Sequence, residues 1–365
     1  MRRTRLPLVV ALAVVLVAAL ALAATGSAKR QETIKAAWIY VGPHNDGGWS
    51  QAHDAGRLYV QKKLGAKVET TFKENVPEGP QFQQVLDSLI RDGNKIIFAT
   101  SFGFQKYMKP TAAKNPDLYF EQATGIGTGK NYAVYFGAGE DAIYLSGIAA
   151  GAATKSGVIG YVVPFAIPEV IRHANAFMLG VQKVRPDAKL KLVWTNSWFD
   201  PAKEKKAAES LVAAGADVLA QNVDSPATGQ VAQAKGVKWV GYDSDASKFA
   251  PKAWLTAAVY NWGPYYLKKV QAAMNGTWKT NDYYGSIADG FTDIAPFGAT
   301  VSAKTKALIA AERKKLIAKP MSEFTGPIKD QAGKVRIPAG KQATLVELLT
   351  MNWLAQGIEG SATGK

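Results

Sequence analysis

The chain has 365 residues, enough for two lobes of ordinary size, each with its own buried core. A composition of 47% hydrophobic and 20% charged residues is that of a globular protein, and the lack of any cysteine excludes thiol catalysis, Cys-ligated zinc, iron–sulfur clusters, disulfides and a lipid-modified N-terminal cysteine. The formal charge of +15 would suit nucleic acid, but the lysines are scattered, and the one dense group (Lys304 to Lys319) sits on an alanine-rich helical pattern that reads as a solvated face, so no nucleic-acid partner is expected.

The N-terminus places Arg2, Arg3 and Arg5 before an apolar run from Leu6 to about Ala24, followed by Thr25-Gly26-Ser27-Ala28. This order is that of a secretory signal over residues 1–28, cleaved after Ala28. An uncleaved anchor is the alternative, since the run approaches the roughly 20 residues needed to span a bilayer. Cleavage would leave 337 residues with a formal charge of +12, and no later stretch is apolar for 18 residues. The expected location is the periplasm, without a lipid anchor.

Downstream, short apolar runs alternate with helical patterns. Strands are predicted at Ala36–Val41, Lys67–Thr71, Lys95–Thr100, Leu118–Gln122 and Ala133–Phe136, with helices at Trp49–Leu64 and Gln81–Arg91. Glu140 and Asp141 read as first-turn acids of a helix over Asp141–Thr154. A second series follows, with strands at Val158–Val163, Lys189–Trp194, Asp217–Ala220 and Lys238–Tyr242, and helices at Ile167–Val184, Pro201–Ala214 and Ala227–Lys235. The fold class is therefore α/β, with parallel sheets in two lobes and a cleft between them. Lobe 1 is expected to take residues 29–138 plus about 256–282, and lobe 2 residues 139–255 plus about 283–365.

Ligands of open parallel sheets bind beyond the carboxyl ends of the strands. The loops there carry Trp49, Phe102, Phe165 and Trp198, accompanied by Asn45, Asp46, Asn196, Asn222, Asp224 and Asp243. Rings that stack and carboxylates or amides that accept N–H groups suit a planar ligand with polar edges. Trp38 and Trp239 lie within apolar runs and read as core. Trp49 and Trp198 lie in polar loops (GGWSQ and NSWFDP) and read as ligand contacts. Asp243, in GYDSD, serves either a ligand or a helix cap.

Catalysis finds no constellation. His44, His53 and His173 have no metal-ligand spacing, and no nucleophile or phosphate-loop motif is present, so no metal, cofactor or enzymatic activity is expected. Asp46 with Asp243 leaves a glycosidic-bond hydrolase as a distant alternative.

Five segments, NDGGWSQAHDAG (Asn45–Gly56), SFGF (Ser101–Phe104), EDAIYLSGIAAG (Glu140–Gly151), SWFDPAKEKKAA (Ser197–Ala208) and VGYDSDAS (Val240–Ser247), occur in an order that resembles the BMP (basic membrane protein) family of ABC-transporter substrate-binding proteins. The resemblance runs from about Lys35 to Lys319. It implies a type I periplasmic-binding fold with two Rossmann-like lobes and three crossovers, a purine-type ligand enclosed by hinge closure, a permease partner and a monomeric state. It also implies that Trp49 and Trp198 stack on opposite faces of the base and that Asp243 stands where nucleoside binders hold the ribose. The sequence departs from the family at Tyr260, in place of a sugar-holding lysine, and at Tyr40, in place of an aspartate. The bulk of Tyr260 is expected to fill the ribose space and favour a free nucleobase such as adenine, with Asp243 or Asn222 turned to the base; a nucleoside is the alternative.

Overall fold

The computed structural model describes residues 33–364, and the expected export signal lies outside these described residues. The first series runs β1 (Ile34–Ile39), α1 (Trp49–Leu64), β2 (Val68–Lys73), α2 (Pro80–Arg91), β3 (Ile96–Ala99), α3 (Gln105–Lys114), β4 (Tyr119–Ala123) and β5 (Tyr132–Gly137). Strands β1, β3 and β5 are buried almost throughout, as a sheet covered by helices on both faces requires. Trp38 is core as expected, stacked on Phe98 at 4.8 Å between ring centroids.

The second series runs α4 (Gly139–Ala153), β6 (Val158–Val163), α5 (Pro168–Gln182), β7 (Lys189–Trp194), α6 (Pro201–Ala213), β8 (Val218–Gln221), α7 (Ala227–Ala234), β9 (Lys238–Asp243) and β10 (Trp254–Tyr260). The chain then continues through α8 (Trp262–Met274), β11 (Asp282–Gly285), β12 (Thr292–Ile294), α9 (Ala303–Ala318), β13 (Ile328–Lys329), β14 (Val335–Ile337), α10 (Leu345–Leu349) and β15 (Ile358–Glu359).

Two large sheets result. The first has the order β11-β5-β4-β3-β1-β2 and is parallel; the second has the order β12-β10-β9-β8-β6-β7-β15 and is parallel except for β12 against β10. The chain passes between the two sheets three times: from β5 into α4, from β10 into α8, and from β11 to β12. The expected lobe boundaries shift accordingly. A return at 256 falls inside β10, which stays paired with β9 to Val259, so the crossing comes after Tyr260; a boundary at 282 cuts β11, which pairs with β5 through Gly285.

The last stretch is anchored to the second lobe. Strand β15 extends the sheet beside β7, and the Asn175 side chain on α5 donates to the Trp353 carbonyl at 2.8 Å and accepts from the Ala355 N–H at 2.8 Å. Among the described residues no helix is long and apolar enough to cross a membrane.

Candidate functional site

At the carboxyl ends of β3, β4, β9 and the loop before α5, side chains from both lobes converge on a space of about 360 Å3, counting the part open to solvent. Trp49, Phe102, Ser101, Thr124, Glu169, Trp198, Asp224, Tyr242 and Asp243 line it, together with Val41. Trp49 opens α1, and its indole N–H donates to the Thr100 carbonyl at 2.6 Å, which fixes the ring plane. Edge-on contacts to His53, Tyr260 and Trp262 back that ring from the hinge side. Trp198 is half-buried and held by the edge of Phe165 at 5.3 Å. The turn that presents Phe102 is tied down by Glu78, whose Oε1 accepts from the Ser101 hydroxyl at 2.5 Å and the Gly103 N–H at 2.7 Å.

Backbone strain marks the same place. Among the described residues five non-glycine residues have positive φ, and three of them, Thr124, Asn196 and Asp243, stand where β4, β7 and β9 end. A β-branched threonine in this region costs on the order of 1–3 kcal/mol, tolerated where it aims a side chain.

The electrostatics are one-sided. Asp243 is 1% exposed and neither of its carboxylate oxygens receives a hydrogen bond; Asp224 Oδ2 is likewise buried without a partner. Burial, then the charges of Asp46 and Glu169, push the Asp243 carboxyl well above the usual range, and burial with Asp46 and Asp243 nearby does the same to Asp224. Glu169 is pushed up to about 7, burial outweighing the Arg172 guanidinium. Among the described residues that line this space there is no lysine or arginine. Such a pocket offers aromatic faces and carboxyl groups that become hydrogen-bond acceptors when ionised, and it holds no cationic donor.

The lobes touch here. The Ser244 hydroxyl donates to the Gly47 carbonyl at 2.6 Å, and Gly48 lies so near the Asp224 backbone that a Cβ would come within 2.5 Å of its carbonyl oxygen.

Of the residues singled out from sequence, Trp49, Trp198, Phe102, Asp224 and Asp243 are brought together around the space. The others are placed elsewhere. Asp46 caps α1, accepting from the N–H groups of Gly48, Ser50 and Gln51 at 2.8, 2.9 and 3.0 Å, a use that the four orphan donors of a helix start invite. Asn45 is exposed beside it. Tyr40 is buried in the first lobe, its hydroxyl donating to Asp54 at 3.1 Å and its ring stacked on Phe72. Asn222 points into the second lobe, with its amide 3.4 Å from His173 Nδ1. Phe165 supports Trp198 from behind. Tyr260 lies at the hinge, stacked on Trp262 at 5.0 Å and against Gly139, so its bulk backs Trp49 and does not fill the cleft.

Sequence reasoning passed over Glu169, Thr124 and Tyr242. Glu169 follows Pro168 in the first turn of α5, where an acid reads as a dipole partner. The positive φ of Thr124 has no sequence signal, whereas Gly at such a position would have had one. Asp224 was visible as a loop acid, but only burial shows that it lacks a partner. Glu140 and Asp141 do open α4; Glu140 accepts from the Tyr284 hydroxyl at 2.7 Å, and Asp141 accepts from the Met321 N–H at 2.7 Å. Among the described residues no group of three His, Asp or Glu is placed to hold a metal ion.

Residues 33–322 match the model of the Bmp family, described as ABC transporter substrate-binding protein PnrA-like. A purine-binding protein of Brucella abortus is 41% identical over 337 residues, covering 92% of this chain and 95% of that protein. A Haloferax volcanii protein with the provisional name of an ABC transporter glucose-binding protein is 34% identical, covering 82% and 76%. In three dimensions an ABC transporter solute-binding protein from Aeropyrum pernix superposes with a TM-score of 0.69 at 17% identity, over 86% of this chain and 97% of that one, a likeness of fold.

Proposed function

The chain belongs to the Bmp family of ABC transporter substrate-binding proteins, a family of binding proteins and not of enzymes, and from that premise we propose that it captures a purine base such as adenine between its lobes and delivers it to a membrane permease. The observation that carries the reading is the buried, unpartnered pair Asp243 and Asp224 beside Trp49, Trp198 and Phe102. An aminopurine supplies what this pocket is short of: N–H donors for the carboxylates and two flat faces for the rings. Stacking on an aromatic side chain is worth about 1–3 kcal/mol per base, and a hydrogen bond to a charged acceptor about 1.5–3 kcal/mol. The purine-binding name of the Brucella relative supports the same ligand class. The basic, apolar, small-residue order of residues 2–28 and the absence of cysteine support a freely diffusing periplasmic protein.

The test is mass spectrometry of small molecules released from the purified protein on denaturation, followed by titration calorimetry with adenine, adenosine, guanosine and glucose. Tight adenine binding that Asp243→Asn weakens about tenfold or more supports the proposal. Binding of glucose alone, or of no purine, overturns it, and tight adenosine with weak adenine moves the reading to a nucleoside.

A further inference from the structure

Beside the base pocket lies a second space of about 910 Å3, counting its open part, and Phe102, Thr124 and Glu169 belong to the walls of both. These three side chains form the boundary that the two spaces share. Val134, Phe136, Ile126, Ile167, Pro168 and Leu349 give the groove mostly apolar walls, drawn from the first lobe, the second lobe and the C-terminal stretch beyond the family match. Two of its polar groups are engaged, the Arg172 guanidinium 3.5 Å from Glu140 and the Tyr284 hydroxyl donating to the same carboxylate at 2.7 Å, while the buried Thr124 hydroxyl at the boundary has no partner. At the mouth, Ile126, Phe102 and Leu349 are 66%, 41% and 43% exposed. Large apolar side chains gathered at an open rim are unfavourable unless something covers them.

Resting on the purine reading above, we propose that this groove is a subsite for an apolar substituent on the bound purine, an N-alkyl or N-aralkyl group that leaves the base pocket between Phe102 and Glu169. A ribose fits it poorly, because its hydroxyls would lose water against walls that are mostly apolar. An alkyl chain gains up to about fourfold in affinity for each methylene it buries there.

Calorimetry of the full mature chain with adenine, N6-methyl-, N6-propyl- and N6-hexyladenine, 9-hexyladenine and adenosine tests the assignment. The expected result is an affinity that rises along the N6 series or is at least as high for 9-hexyladenine as for adenine. Ile126→Asp and Leu349→Asp, both at exposed positions, should then weaken the hexyl ligand about tenfold and leave adenine within about twofold. Adenine binding with hexyl ligands weaker by both attachments, or hexyl affinity untouched by both variants, overturns the subsite while leaving the purine reading standing. Tight adenosine with excluded alkyl purines assigns the groove to a sugar and also overturns it. Failure of adenine and every substituted purine to bind removes both readings.

Discussion

Asp243 concentrates what single residues do in this protein. It ends β9 in a left-handed conformation, is fully buried, and finds no donor within the protein. A buried carboxylate left in that state costs several kcal/mol, and the ordinary response is to hold a proton until a ligand supplies hydrogen bonds. Gly48 acts at the same scale through absence of a side chain. Its contact with Asp224 closes the cleft, and a Cβ there would press against backbone that cannot swing aside. Gly48→Ala should therefore hold the lobes apart and lower purine affinity about tenfold or more, with little change in the unfolding midpoint. Calorimetry beside a urea titration checks this, and an unchanged affinity would show that closure does not depend on this approach.

At the scale of elements, the helix pair α4 and α5 supports the second lobe from which Glu169 projects. Gly147 and Gly180 set their spacing: a Cβ on Gly180 would come to 2.0 Å of the Tyr144 carbonyl oxygen, and one on Gly147 to 2.2 Å of that of Phe177. Neither glycine has an unusual φ, so the requirement is close approach. Gly180→Ala should cost about 3 kcal/mol, read as a lower urea midpoint at unchanged slope; a midpoint equal to the parent's would mean that the helices separate freely. The strands were easy to foresee as elements because burial on both faces makes them continuous apolar runs, as in VIGYVV. Helix α3 was not, since Pro110 stands in its interior and Lys106 loses the hydrogen bond that an N–H there would have made. Strand β10 was not foreseen, because burial of nearly all its residues leaves no alternation of polar and apolar side chains to read.

For the whole molecule, acids buried in the cleft and near the hinge couple stability to pH. Glu169 and Asp141 each have a pKa pushed up to about 7, in both cases mainly by burial. The folded protein then holds protons that the unfolded chain releases from about pH 4 upward, so the stability these groups confer is full at low pH and is lost as pH rises through 7. Unliganded Glu169→Gln, which keeps the hydrogen-bonding shape without the charge, should melt with the parent near pH 5 and above it at pH 8. Coincident melting curves at pH 8 would remove Glu169 from this account. The asymmetry has a functional side: burial holds Asp243 and Asp224 protonated in the empty cleft, and a ligand rich in N–H donors favours their ionised form.

What the sequence determined by itself follows from local and periodic information. Apolar runs of strand length separated by helical patterns sufficed for two parallel α/β units, and the polar surroundings of Trp49 and Trp198 marked them as cleft residues. Tyr260, Asp46, Tyr40 and Asn222 show where that information ends. Each lies at a strand end or in a loop following a strand, yet one side chain faces the hinge, one caps a helix and two turn into a core. Direction at a strand end is set by which neighbour offers a donor, an acceptor or a ring, and those neighbours come from elsewhere in the chain. The crossover after Tyr260, the partnerless state of Asp224 and Asp243, and the apolar groove that shares three side chains with the base pocket were decided by tertiary structure, because each depends on how distant segments come together.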